Sequence, residues 1–463
     1  MKKYSVVSGC LLVLFVMRDS HLAAAHTPQE MLKLPAVETA VLENGIRFFH
    51  IRDELPQVTI VISVGYGTLY EKKDTAGLSE LIAKTISLGG SRSYPGSALH
   101  EKIDSLGGRL SVESSWENTV ISVKVLDRFK RDAFAIAADL MTHPSMDTRS
   151  LDTAKALIAD SIRRKYDDPA EIAFGKAREI IFGGDGYGSF PEEARVRSYA
   201  PDLIRGTWAK HCTGRNIMIG ISASLDFAET GRLCREYFSG LAPGGPLSYE
   251  VDRNKILEQV AACRGKIFFY PKDIPQSTVV TGTVAPDIGY HGQYALEIMN
   301  YILGGGSFTS RLMGEIRVKR GLAYAVQSIV KFRHRTGVFL AYAQTENKTA
   351  GDVLSLLAGN IGIISRERVS PGEIDWARRA ISNSFVFQFD TPMSVLANYM
   401  DIAYYGLPAD YYTGYLVRIS GVGEPDVLSE ARKLFTPGLV TVVVGNESVL
   451  QDLKKTGDVV ILK

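Results

Sequence analysis

The sequence predicts an α+β protein made of two copies of one fold, each an antiparallel β-sheet with helices packed on one face. Three observations predict it. The chain has 463 residues, more than one hydrophobic core usually serves. Two distant segments begin alike, Asp53-Glu-Leu-Pro-Gln-Val-Thr-Ile-Val61 and Lys272-Asp-Ile-Pro-Gln-Ser-Thr-Val-Val280. Each follows a short β-rich run and leads into a strand, a helix and a glycine cluster, Gly89-Gly90 in one copy and Gly304 to Gly306 in the other.

Residues 1–25 read as a secretory signal rather than as fold: Lys2 and Lys3, an apolar run from Val6 to Met17, then Ala23, Ala24 and Ala25. That run is short for a transmembrane helix. The first copy is expected over 26–240. A linker over 241–256 is marked by Leu241-Ala-Pro-Gly-Gly-Pro246, and the second copy fills 257–463.

Within the first copy, Val58 to Val64 is rich in β-branched residues and predicts a strand. Leu78, Leu81, Ile82, Thr85 and Ile86 have helical spacing and predict a helix over 76–88. A short helix over 99–106 follows, ended by Gly107-Gly108, and then an alternating strand over 120–125. Helices over 129–141 and 149–166 and a strand over 217–221 complete the copy.

Composition narrows the function classes. Hydrophobic residues at 45% and charged residues at 22% are ordinary for a soluble globular protein. A net charge of +2 with no long basic block argues against nucleic-acid binding. None of the 8 histidines forms a His-x-x-x-His pair. Beyond the signal, Cys212, Cys234 and Cys263 make neither a disulfide framework nor a C-x-x-C pair, and one disulfide stays open as an option. The mature protein is expected in an oxidising compartment, the periplasm.

The segment Gly77-Leu-Ser-Glu-Leu-Ile-Ala-Lys-Thr85 resembles the pitrilysin, insulinase and mitochondrial processing peptidase family, the inverted zincins. The resemblance extends over nearly the whole mature chain. In active members this helix carries His-x-x-Glu-His: two imidazoles four residues apart hold one zinc, and the glutamate activates the bound water. A glutamate further along completes the site. Here the histidine positions are Glu80 and Lys84, the base position is Ala83, and the third ligand falls on Ser161, or on Asp160 if the register slips by one. These residues imply no zinc held by this chain. They leave Glu80 and Lys84 at i, i+4, the favourable orientation for a helical ion pair.

The second copy keeps its motif. Gly304-Gly-Gly-Ser-Phe-Thr-Ser-Arg-Leu-Met-Gly-Glu-Ile-Arg-Val-Lys-Arg-Gly-Leu-Ala-Tyr324 resembles the family's C-terminal motif, in which an arginine and a tyrosine act on substrate. Those positions are Arg317 and Tyr324. Leu312, Ile316 and Lys319 have helical spacing, Gly321 is placed to end the helix, and strands follow over 324–330 and 338–343. A guanidinium and a phenol both donate hydrogen bonds and suit a developing oxyanion. Gly304, Gly305, Gly306 and Ser307 are candidates for a lip beside the substrate, or for close backbone packing. The run lacks a following Gly-Lys-Ser/Thr and is not a phosphate loop. Arg163, Arg164 and Lys165 read as a solvated helix face.

The resemblance implies a non-catalytic subunit that binds peptide or unfolded protein and supplies Arg317 and Tyr324 to zinc on a homologous partner subunit. A structural or peptide-binding assembly protein without proteolysis is the alternative, and a stand-alone zinc endopeptidase the third reading.

Overall fold

A computed structural model describes residues 33–245 and 249–462, so the expected signal lies outside the described residues. The first sheet contains β1 (Glu38–Val41), β2 (Arg47–Arg52), β3 (Gln57–Val64), β4 (Arg109–Ser114), β5 (Thr119–Leu126) and β6 (Ile217–Ala223), in the order β1-β2-β6-β3-β5-β4. The second contains β7 (Lys266–Pro271), β8 (Gln276–Ala285), β9 (Ala323–Lys331), β10 (Gly337–Glu346), β11 (Val440–Gly445) and β12 (Asp458–Ile461), in the order β12-β7-β11-β8-β10-β9. Five strands of each sheet correspond in sequence order and in position. The two similar segments read from the sequence join β2 to β3 and β7 to β8. The copies differ at one edge, where β1 pairs antiparallel with β2 but β12 pairs parallel with β7.

The expected α+β repeat is therefore present, with mainly antiparallel sheets that also contain parallel pairs at β2–β6 and β7–β11. Alternation builds the first core. Val58, Ile60 and Ile62 of β3 and Ile121, Val123 and Val125 of β5 are buried in one cluster, beneath α1 (Leu78–Gly89), α3 (Lys130–Thr142) and α4 (Thr148–Asp167). Each such side chain contributes roughly 1.5–3 kcal/mol on burial. The short helix α2 (Ser97–Ser105) closes the end of this layer through Leu99 and Ile103.

The second face of each sheet is not left to solvent. The helix Pro392–Tyr405, from the second copy, lays Val395, Leu396 and Met400 on Phe49, Ile51 and Met218 of the first sheet. Conversely, α5 (Pro169–Phe182), from the first copy, lays Ile172, Ala173, Ala177 and Ile181 on Val280, Val284, Val442 and Val444 of the second sheet. The copies thus exchange one covering helix each, and β6 is buried on both faces. Gly220 of β6 permits the seating, because a Cβ there would lie 2.5 Å from Met400 Sδ. A polar contact joins the copies as well: buried Glu117 accepts hydrogen bonds from the Tyr187 and Tyr405 hydroxyls and from the His334 backbone N–H.

The segment expected as a linker, 241–256, falls partly outside the described residues. Its last residues already begin the helix Arg253–Ala262, whose N-terminus is capped by Asp252 accepting from the Lys255 N–H at 3.0 Å. Cys212, Cys234 and Cys263 are buried free thiols, and burial pushes the first two up to about 12.

Candidate functional site

The helix α1 forms because Leu78, Leu81, Ile82 and Ile86 fill one buried face. Its start is capped from outside. The buried carboxylate of Glu71 accepts from the Gly77 N–H at 2.9 Å, the Ser79 N–H at 2.8 Å, the Ser79 hydroxyl at 2.7 Å and the Ser189 hydroxyl at 2.8 Å. Burial raises the Glu71 pKa, and these hydrogen bonds act against the rise. Beside α1 runs α4, capped by Asp147, with Leu151, Ala154, Ile158 and Ile162 turned into the core.

Glu80, Ala83 and Lys84 of α1 and Ser161 of α4 line one open cleft of about 580 Å³. Val112, Glu113 and Ser114 of the edge strand β4 form another wall, with Thr68 and Arg164. The four positions of the degenerate motif are therefore neighbours in space. The expected Glu80–Lys84 ion pair does not form: the two are not within 4.0 Å, and neither has an ionic partner among the described residues. A surface pair at this spacing gains only about 0.2–0.5 kcal/mol, too little to fix two long side chains.

The donors here do not fit zinc. Ala83 offers no base and Ser161 is a poor ligand. An ammonium at Lys84 repels a cation, which leaves one carboxylate, Glu80, among the four. Among the described residues no group of three or more His, Cys, Asp or Glu is placed to hold a metal ion.

A deeper recess of about 290 Å³ shares Thr68, Glu80 and Trp116 with the open cleft and is also lined by Glu71, Lys165, Tyr166, Glu171, Arg178 and Ser189. Two guanidiniums lie over the Trp116 ring, Arg178 at 4.9 Å and Arg333 at 4.8 Å from its centre. The charge run on α4 divides between two faces. Arg163 pairs outward with Asp160 and with Glu193, whereas Arg164 lines the open cleft and Lys165 the recess. The run is thus more than a solvated face. Glu71, Trp116 and Arg178 carry no motif spacing and were not legible as site residues.

The Arg317 segment winds differently from the α-helix expected. Met313–Val318 is a π-helix, and Gly321, at φ 64°, ends it by donating its N–H to the Arg317 carbonyl at 3.0 Å. Leu312 and Ile316 anchor it in the second core. The Arg317 guanidinium lies 5.1 Å from the Phe308 ring centre and 5.3 Å from that of Tyr324, and both aromatics are open to solvent, 62% and 78% exposed. Arg311 braces the segment through a two-pronged bridge to Glu373, Nε to Oε1 at 2.7 Å and Nη2 to Oε2 at 2.9 Å. That guanidinium holds the Glu373 carboxyl at about 2.

The glycine run turns inward. A Cβ on Gly304 would lie 2.5 Å from the Ser328 backbone nitrogen, so this residue lets the π-helical turn Tyr301–Gly305 press on β9. Gly306 sits against Trp376 and the Tyr301 carbonyl, while Ser307, at φ 54°, and Phe308 stand on the surface. Neither Arg317 nor Tyr324 lines the cleft or the recess. The structure gathers the sequence-predicted residues into two separate sets, one around α1 and one around β9.

Two family descriptions match consecutive parts of the chain: Insulinase (Peptidase family M16) over residues 48–188, and Peptidase M16 inactive domain over residues 200–381. An uncharacterized zinc protease of Rickettsia bellii (strain RML369-C) is 25% identical over 415 residues, covering 87% of this chain and 96% of its own. Cytochrome b-c1 complex subunit 1, mitochondrial, of Bos taurus is 20% identical over 354 residues, covering 74% of this chain and 73% of its own. The crystal structure of a peptidase M16 inactive domain from Pseudomonas fluorescens superposes with a TM-score of 0.80 at 18% identity, covering 89% of this chain and 98% of that one. With the degenerate motif on α1 and the Arg/Tyr motif at the start of β9 both in the matched spans, the chain belongs to the M16 (insulinase) peptidase family.

Proposed function

We propose that this chain is the non-catalytic subunit of an exported zinc peptidase. It binds peptide and supplies Arg317 and Tyr324 to zinc held by a homologous partner subunit. One observation carries the reading: the metal positions on α1 and α4 lack ligand chemistry, while the guanidinium of Arg317 lies beside two exposed rings and lines neither the cleft nor the recess. Preset donors at a developing oxyanion stabilise the transition state of peptide hydrolysis, and they do so equally well from another chain. The free edges of β4 and β9 suit an extended peptide, which would add to either sheet as a further strand. Co-expression with a zinc-bearing homologue tests the proposal: a stable complex whose peptidase activity needs both chains supports it. Full activity of the homologue alone removes it.

The relative of Bos taurus is named as a subunit of the cytochrome b-c1 complex, which favours a second reading, an assembly protein of this fold with no part in proteolysis. That reading expects a stable complex whose activity is indifferent to Arg317.

A further inference from the structure

The recess beside α1 holds a guanidinium with no direct ion pair among the described residues. Arg178, on α5, is enclosed there, and its Nε is buried with no hydrogen-bond partner. Among the described residues no carboxylate comes within 4.0 Å of it, and its contact is the face of Trp116. Burial lowers Arg178 to about 10, against the attraction of Glu171 and with the repulsion of Arg333, so the charged form is held at a cost. Lys165, which has no ion pair among the described residues, lines the same recess. Glu71, which also lines the recess, already accepts with both oxygens from α1 and Ser189. Glu80 and Glu171 also line the walls, and Glu171 attracts Arg178 from beyond salt-bridge distance.

We infer that this recess is a carboxylate-binding subsite, in which Arg178, backed by Trp116 and assisted by Lys165, receives one carboxylate of a bound peptide. The planar fork of a guanidinium fits a carboxylate with two parallel hydrogen bonds, and the enclosed position strengthens them. The shared residues Thr68, Glu80 and Trp116 join the recess to the open cleft, along whose wall runs β4. An extended peptide lying beside β4 would thus end in, or turn a side chain into, the recess at Arg178. Glu71, Glu80 and Glu171 on the recess walls disfavour further negative charge beyond the one carboxylate that Arg178 would receive. The inference rests on the peptide-binding part of the proposed function but not on the partner's zinc.

The test is calorimetric titration of the full chain, alone and metal-free, with three N-acetylated pentapeptides of alanine and valine: the free acid, its C-terminal amide, and an amide carrying one internal glutamate. A charge-assisted pair in an enclosed site predicts that at least one carboxylate peptide binds about tenfold or more tighter than the neutral amide. The free acid gaining places the C-terminus in the recess. The glutamate peptide gaining places a side chain there. Arg178→Gln should erase the gain, bringing the carboxylate peptide to the affinity that the same variant has for the amide. Equal binding of all three peptides by the unaltered chain, no binding of any, or a gain that survives Arg178→Gln each overturns the inference. Because no partner is present, failure here leaves the role of Arg317 untouched, and failure of the partner assay leaves this one untouched.

Discussion

The Arg317 guanidinium sits 5.3 Å from the centre of the Tyr324 ring, with Phe308 closing the other side at 5.1 Å. Cation–aromatic contacts at exposed sites contribute about 0.5–1 kcal/mol each. Phe308→Ala should therefore free the guanidinium without harming the fold. We expect peptidase activity of a complex with a zinc-bearing partner to fall about two- to fivefold. Stability of the chain should change by less than about 0.5 kcal/mol, since the ring is on the surface. Urea unfolding and a rate assay check both halves of that statement.

Glu373 acts on the same segment from below. Its bridge to Arg311 ties the stretch before the π-helix to the N-terminus of the helix Pro371–Phe385, where Glu373 also accepts from the Ser370 N–H. Glu373→Gln keeps the shape and removes the charge. It should cost roughly 1 kcal/mol, discounted for the partial exposure of both groups. The loss should shrink as pH approaches about 2, where the native carboxyl itself takes up a proton. Chemical unfolding of the two proteins at several pH values measures it.

Two buried groups give opposite pH slopes. Burial raises Glu297 to about 7, against the hydrogen bond it accepts from the Tyr415 hydroxyl, so between about 4.5 and 7 the folded chain keeps a proton that the unfolded chain releases. That group stabilises most at low pH, and its contribution is lost as pH rises through this window. Burial lowers His211 to about 4, against its hydrogen bond to the Gly65 carbonyl. The unfolded chain then binds the extra proton, and stability is lost as pH falls from 6.5 towards 4. The slopes oppose each other in their overlap. Unfolding curves of Glu297→Gln minus those of the unaltered protein should isolate the first, as a difference that changes steadily from pH 4.5 to 7 and is flat above. A flat difference throughout contradicts the assignment.

The cleft around α1 predicts metal behaviour. The chain purified alone should retain far less than one equivalent of zinc by elemental analysis. A variant combining Glu80→His, Ala83→Glu, Lys84→His and Ser161→Glu should gain chelator-sensitive zinc binding, because the four positions already face one space. Stoichiometric zinc in the unaltered chain contradicts the reading of Glu80 and Lys84.

Much of the fold was legible because its signals are local. The alternation of Val58, Ile60 and Ile62, the apolar stripe of α1 and the two similar segments before β3 and β8 each lie in one short stretch. The exchange of α5 and the helix Pro392–Tyr405 was not legible, since an apolar stripe tells that a face is buried but not against which sheet. The π-helix at Met313–Val318 escaped for a related reason: Leu312 and Ile316 satisfy either winding, and the choice is made by packing. In the site, the motif positions were readable by resemblance. Arg178 and Glu71 were not, because their significance comes from Trp116 and Ser189, both distant in sequence. The Glu80–Lys84 pair was expected from spacing alone, and spacing of that kind carries too little energy to decide where two long side chains point.

The central claim is that Arg317 and Tyr324 work on zinc held by another chain. Its most direct measurement is the rate of peptide cleavage by this protein bound to its zinc-bearing homologue, with and without Arg317→Ala and Tyr324→Phe, at saturating complex formation. Removing one preset oxyanion donor typically costs about 10²–10³ in kcat. The account predicts a loss of that size for Arg317→Ala and a smaller one for Tyr324→Phe, with the complex intact and its zinc retained. An unchanged rate in both variants would contradict it.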